Sequence, residues 1–105
     1  MDEIINIKKI REQIDIIDNK LLELFVERMK LVSRVVEYKK QNGLPILDSA
    51  REAEKITDIT DRLSDLYGDM DLMKEIFGFF DNILKISREY QKKLIGGEND
   101  ENTGD

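Results

Sequence analysis

Between Ile7 and Lys40, apolar residues recur at Ile7, Ile10, Ile14, Ile17, Leu21, Leu24, Leu31, Val35 and Tyr38. This alternation of threes and fours is the period of a heptad seam on one continuous helix. Position 28 completes the series and is occupied by Arg28, a cation where an apolar side chain is expected. No glycine or proline interrupts the run, and Leu, Ile, Glu, Lys, Arg and Val dominate its interior, so local propensity agrees with the periodicity.

A helix from about Glu3 to Gln41 would be roughly 58 Å long. A compact chain of 105 residues has a radius of gyration near ~13 Å and cannot cover both ends of such a rod. The seam needs a partner, and a second copy of the chain is the simplest one. The expected fold is all-α, with three helices per chain, one long and two shorter, forming an intertwined helical homodimer.

The remaining elements follow from breaks and caps. Gly43 suits a left-handed helix cap and Pro45 cannot continue the helix. A second helix is expected from Asp48 or Ser49 to about Leu66, opened by a Ser49–Glu52 capping box and buried through Ala53, Ile56, Ile59, Thr60 and Leu63. Tyr67-Gly68-Asp69 reads as a turn. A third helix, from Asp69–Asp71 to about Leu94, carries Leu72, Met73, Ile76, Phe77, Phe80, Ile83, Leu84, Ile86 and Tyr90, with Gly78 marking a close contact. One helical domain over 1–95 and a disordered acidic tail over 96–105 are the expected units.

Cysteine and histidine are both absent. That excludes thiol nucleophiles, disulfides and Cys/His metal sites, together with the side chain best suited to proton transfer near neutrality. Any catalysis is expected to rest on positioning and electrostatics and not on an imidazole relay. The net charge of −6 argues against nucleic acid as a partner. Four of those charges lie in the tail, at Glu98, Asp100, Glu101 and Asp105, so the body is close to −2. Met1 to Ile10 mix charges with isoleucines and lack the apolar core and cleavage site of a signal peptide, no apolar run is long enough to cross a bilayer, and the expected location is the cytoplasm.

Against that background the inward cations of the first helix stand out. Arg28 and Lys39 are close to three turns apart, on one side of the helix and about 16 Å from each other, a span that two long side chains can close around a small molecule. Arg11 lies some ~25 Å from Arg28 and could reach the same molecule only from a second, antiparallel chain. Each has a plainer reading. Arg11 can be a solvated flanking charge, Lys39 a cation at a helix C-terminus, and Arg28 half of an ion pair with Glu27 or Glu52. Asp48, Ser49 and Glu52 are accounted for by a helix cap, and Ser87 and Gln91, at i and i+4, by an ordinary helix surface.

Taken together, these positions resemble the all-helical chorismate mutase family. The segment Ile10-Arg11-Glu12-Gln13-Ile14-Asp15-Ile16-Ile17-Asp18-Asn19-Lys20-Leu21-Leu22-Glu23-Leu24 is similar to its opening signature, and Glu27-Arg28, Val35 and Tyr38-Lys39 to its next block. Pro45-Ile46, Asp48 and Arg51-Glu52 resemble the start of its second helix, and Phe80, Ile83, Ser87 and Gln91 the end of its third. The four blocks span about residues 7 to 94.

The resemblance implies rearrangement of chorismate to prephenate, on the route to phenylalanine and tyrosine, without cofactor or metal. It implies that Arg28 and a partner chain's Arg11 bind the two substrate carboxylates, with Ser87 assisting. Lys39 and Gln91 would face the ether oxygen and Glu52 the ring hydroxyl. Asp48 and Arg51 would complete the polar wall, and Val35 would pack on the ring. Two alternatives remain: an isochorismate pyruvate lyase on the same fold, and a non-catalytic helical dimer whose cations are neutralised by internal acids.

Overall fold

The computed structural model describes residues 4–67 and 72–103. It consists of α1 (Ile7–Asn42), α2 (Ser49–Tyr67) and α3 (Met73–Thr103). The molecule is extended, measuring 63 × 30 × 24 Å with a radius of gyration of 18.6 Å. That is well above the ~13 Å of a compact chain of this length.

α1 starts later than expected because Asn6 caps it. The Asn6 side chain accepts a hydrogen bond from the Lys9 backbone N–H, satisfying a donor that the first turn leaves free. The helix ends as anticipated at Gly43, whose φ of 62° is left-handed, with the amides of Gly43 and Leu44 both directed at the Lys39 carbonyl.

The heptad seam is not the face that packs within the chain. From Ile7 to Leu24 all its members are exposed, as are Leu31, Val35 and Tyr38. α3 instead covers a neighbouring stripe on the second half of α1, where Phe25, Met29, Val32 and Val36 are half-buried or buried. One residue advances a helix by about 100°, so Val36 and Val35 face different neighbours.

α2 and α3 pack together along Ile59, Leu63, Ile76 and Phe80, while α3 also packs on α1. Ile59 and Leu63 are buried and Ile56 and Thr60 half-buried, but Ala53 is exposed, contrary to expectation. On α3, Leu72, Met73 and Ile86 are likewise exposed. Gly78 marks no close contact within the chain, since a Cβ there would have nothing within 4 Å.

The cap of α2 differs from the expected box. Asp48 Oδ1 accepts from the Arg51 backbone N–H at 3.0 Å, so Asp48 is the cap. This shifts Glu52 one position further into the helix, from which it reaches across to α3 instead of back to the cap. Of the expected turn, Tyr67 is the last residue of α2, and Gly68 and Asp69 lie outside the described residues. The expected start of α3 at Asp69–Asp71 also lies outside them. Helical geometry lapses at Gly96 (φ −110°, ψ 17°) and resumes to Thr103, past the expected end near Leu94. The expected acidic tail falls on residues whose side chains lie outside the described set.

Among the described residues only Val36, Ile59 and Leu63 are buried apolar side chains, and no helix is long and apolar enough to cross a membrane. A single chain therefore leaves most of its apolar surface, above all the first half of α1, in contact with water.

Candidate active site

Among the described residues as many polar side chains as apolar ones are buried: Lys39 is 8% exposed, Ser87 5% and Gln91 7%. Such groups are expensive to remove from water unless each finds a partner. All three lie around one cavity of about 300 Å³, within the size range of small-molecule sites.

Three elements build it. α1 contributes Arg28, Leu31, Val32, Val35 and Lys39, and the α1–α2 connection contributes Ile46 and Asp48. α2 supplies Arg51, Glu52 and Lys55, and α3 supplies Leu84, Ser87 and Gln91. The deepest lining side chains are polar, Lys39, Ser87 and Gln91, while the aliphatic Leu31 and Val35 are exposed.

The partners of Lys39 determine what the site can do. Its Nζ donates to the Ile46 carbonyl at 2.5 Å and to Gln91 Oε1 at 2.8 Å. An ammonium only donates, so Gln91 must turn its oxygen towards Lys39, which leaves its NH₂ as a donor for another acceptor. Lys39 retains a third N–H for the same purpose. Together they form a donor pair suited to an oxygen atom that carries or acquires negative charge.

Arg28 supplies the second feature. Its Nη1 donates to Ser87 Oγ at 2.5 Å, and neither Arg28 nor Lys39 contacts an acid among the described residues. Burial pushes the Arg28 pKa down from its usual value, and the positive charge of Arg51 adds to the effect. A guanidinium nonetheless stays charged. The site thus holds more positive potential than its own groups neutralise, and an anion would relieve it.

Asp48, Arg51 and Glu52 are already engaged. The Asp48 cap occupies one carboxylate oxygen, and Arg51 pairs with Glu54 at 2.6 Å on the exposed face of α2. Such a surface pair is worth little and opens readily. Glu52 accepts from Arg88 Nη1 at 2.5 Å.

The structure thus brings Arg28, Val35, Lys39, Asp48, Arg51, Glu52, Ser87 and Gln91 to one cavity. It does not bring Arg11 there: that residue is on the exposed first half of α1, ~25 Å along the helix from Arg28. Sequence reasoning missed Lys55 and Arg88. Lys55 could have been found from its place one turn beyond Arg51 on the same face of α2. Arg88 carried no local signal, because its partner Glu52 is 36 residues away.

A family model described as chorismate mutase type II matches residues 10–92. Over 44 residues the chain is 52% identical to the chorismate mutase of Methanocaldococcus jannaschii, covering 42% of this chain and 44% of that protein. It is 31% identical over 88 residues to the bifunctional chorismate mutase/prephenate dehydratase of Aquifex aeolicus, covering 84% of this chain and 24% of that one. A 46-residue stretch is 46% identical to the T-protein of Haemophilus influenzae, covering 44% of this chain and 12% of the relative. Each match spans less than half of the relative's own length. No solved structure matches the chain significantly.

Proposed function

The chain belongs to the chorismate mutase type II family, and from that premise we propose that it rearranges chorismate to prephenate in a cavity completed by a second copy of itself. The observation that carries this reading is the Lys39–Gln91 donor pair, set beside an arginine that no acid among the described residues neutralises.

The reaction is unimolecular and pericyclic: the ether C–O bond breaks as a C–C bond forms within one molecule. It calls for no nucleophile or proton transfer, which suits a chain without His or Cys. The physical task is to hold a flexible dianion in the compact chair-like conformer in which the reacting carbons meet, a proximity and orientation effect. In this reading Arg28, assisted by Ser87, grips one carboxylate, and Arg11 of the partner subunit grips the other. Arg51 can swing from Glu54 to complete the cationic wall, and Asp48 closes the polar rim. Val35 and the other aliphatic lining residues pack on the ring, and Glu52 accepts from its hydroxyl.

As C–O cleavage runs ahead of C–C formation, negative charge gathers on the ether oxygen. Lys39 Nζ and the Gln91 amide are already fixed by their mutual hydrogen bond, so they stabilise that charge more in the transition state than in the ground state, without reorganising. The rate gain comes from that difference.

The exposed apolar stripe from Ile7 to Leu24 supports the homodimer, since pairing two such stripes removes them from water. An antiparallel pair of α1 helices would carry each Arg11 towards the other chain's Arg28. The test is an ultraviolet assay of chorismate loss with prephenate as product, in which Arg28→Ala and Lys39→Ala abolish most turnover. Near-normal turnover in either variant would remove the mechanism. Supplying isochorismate and finding salicylate plus pyruvate instead would select the lyase.

A further inference from the structure

Three polar side chains on one face of α3 each hold a cavity-lining side chain of another helix. Ser87 accepts from Arg28 of α1, Gln91 accepts from Lys39 of α1, and Arg88 donates to Glu52 of α2. Ser87 and Gln91 line the cavity themselves, whereas Arg88 does not. Its only route to the reaction is through Glu52.

The Arg88–Glu52 contact is 2.5 Å, with side chains 30% and 24% exposed, against 60% and 63% for the surface pair Arg51–Glu54. It is therefore the less screened of the two ion pairs. Arg88 occupies Glu52 Oε1, and the second carboxylate oxygen remains able to accept from a donor in the cavity. The surroundings make this restraint necessary. Arg28, Lys39, Arg51 and Lys55 line the same cavity, and an unrestrained glutamate would fold onto one of them. It would then cancel a charge that the substrate carboxylates need and lose its own aim at the ring.

We propose that Arg88 is a positioning residue: it holds Glu52 off the cavity cations and aims its free oxygen at the ring hydroxyl of the substrate, so that the enzyme prefers a hydroxylated ring. This rests on the functional reading above.

The experiment compares kcat and KM of the wild type, Arg88→Gln, Arg88→Lys, Glu52→Gln and the Arg88→Gln/Glu52→Gln double variant. Each is assayed with chorismate and with a chorismate analogue lacking the ring hydroxyl. Losing a charge-assisted hydrogen bond predicts a roughly 10- to 100-fold fall in kcat/KM for Arg88→Gln on chorismate. On the analogue the fall should be several-fold smaller, because the hydroxyl that Glu52 would have met is missing and only the collapse of Glu52 onto the cavity cations remains. Arg88→Lys keeps the charge and should recover most of the loss. In the Glu52→Gln background, Arg88→Gln should add almost nothing, as expected for two residues acting as one unit.

Equal losses on both substrates would show that Arg88 merely supports the fold. Additive losses in the double variant, or full activity of Arg88→Gln on chorismate, would also overturn its role. A wild type that leaves chorismate unchanged would defeat the functional reading and this inference with it. Activity in the wild type with equal losses on the two substrates would defeat the inference alone.

Discussion

Replacing Lys39 by methionine separates catalysis from folding at one position. Lys39 Nζ is buried and held by two neutral oxygens, the Ile46 carbonyl at 2.5 Å and Gln91 Oε1 at 2.8 Å. Methionine keeps most of the stem and removes the charge. Two opposing effects act on stability. Removing a buried ammonium that has no acid partner relieves a desolvation penalty of several kcal/mol. Leaving two oxygens without their donor costs about 1–3 kcal/mol each if they are sealed, but less here because both border a cavity of about 300 Å³ that water can enter. The net change should lie within about 2 kcal/mol, and at roughly 4–8 °C per kcal/mol the melting temperature should move by no more than about 15 °C in either direction.

Turnover has no such compensation. Deleting a preorganised donor at the atom where charge develops typically costs about 10² to 10³ in kcat. Lys39→Met should therefore melt cooperatively by circular dichroism at 222 nm while its ultraviolet-monitored chorismate consumption falls by that factor. Turnover within about threefold of the wild type would refute the role of Lys39 at the ether oxygen. A loss of the cooperative melt would refute the separation and make Lys39 a structural residue.

Mixing Arg11→Ala chains with Arg28→Ala chains should restore about a quarter of wild-type activity, since half the dimers are mixed and each holds one intact site; no recovery in titration assays would contradict pocket sharing. Leu21→Asp places a charge in the middle of the exposed α1 stripe and should convert the proposed dimer to monomers by light scattering, with activity lost if a partner's Arg11 completes the site. An Asp48→Ala variant loses the α2 cap and should drop by about 0.5–2 kcal/mol in denaturant unfolding, more than its conservative Asp48→Asn counterpart. Gly43→Ala forces a Cβ into the left-handed cap and should lower stability by about 1 kcal/mol, readable as a melting shift of several degrees.

Of the candidate site, spacing alone pointed to Arg28 and Lys39 on one side of α1. Val35, Arg51 and Glu52 entered only through the family resemblance, because by spacing they read as seam, helix surface and cap. What periodicity could not supply was the pairing between elements. The cap at Asp48 and the box at Ser49–Glu52 differ by one residue, and in the structure Asp48 takes the cap while the Glu52 side chain engages Arg88 of α3. Gly78 looked like a contact glycine, yet nothing approaches it within the chain.

The sequence by itself determined the number of helices, the Gly43 and Pro45 break, and the chemical character of the cavity, because helix period, caps and side-chain charge depend on residues within a turn or two of each other. Only the tertiary structure decided that α3 packs on the Val32–Val36 stripe and not on the seam, and that Lys39 meets Gln91 and Arg28 meets Ser87. Those contacts join residues 52 and 59 positions apart, and bringing them together requires the chain to reverse twice. The angle at which the helices cross then selects which of two adjacent stripes is covered, and a local pattern of threes and fours cannot encode that angle.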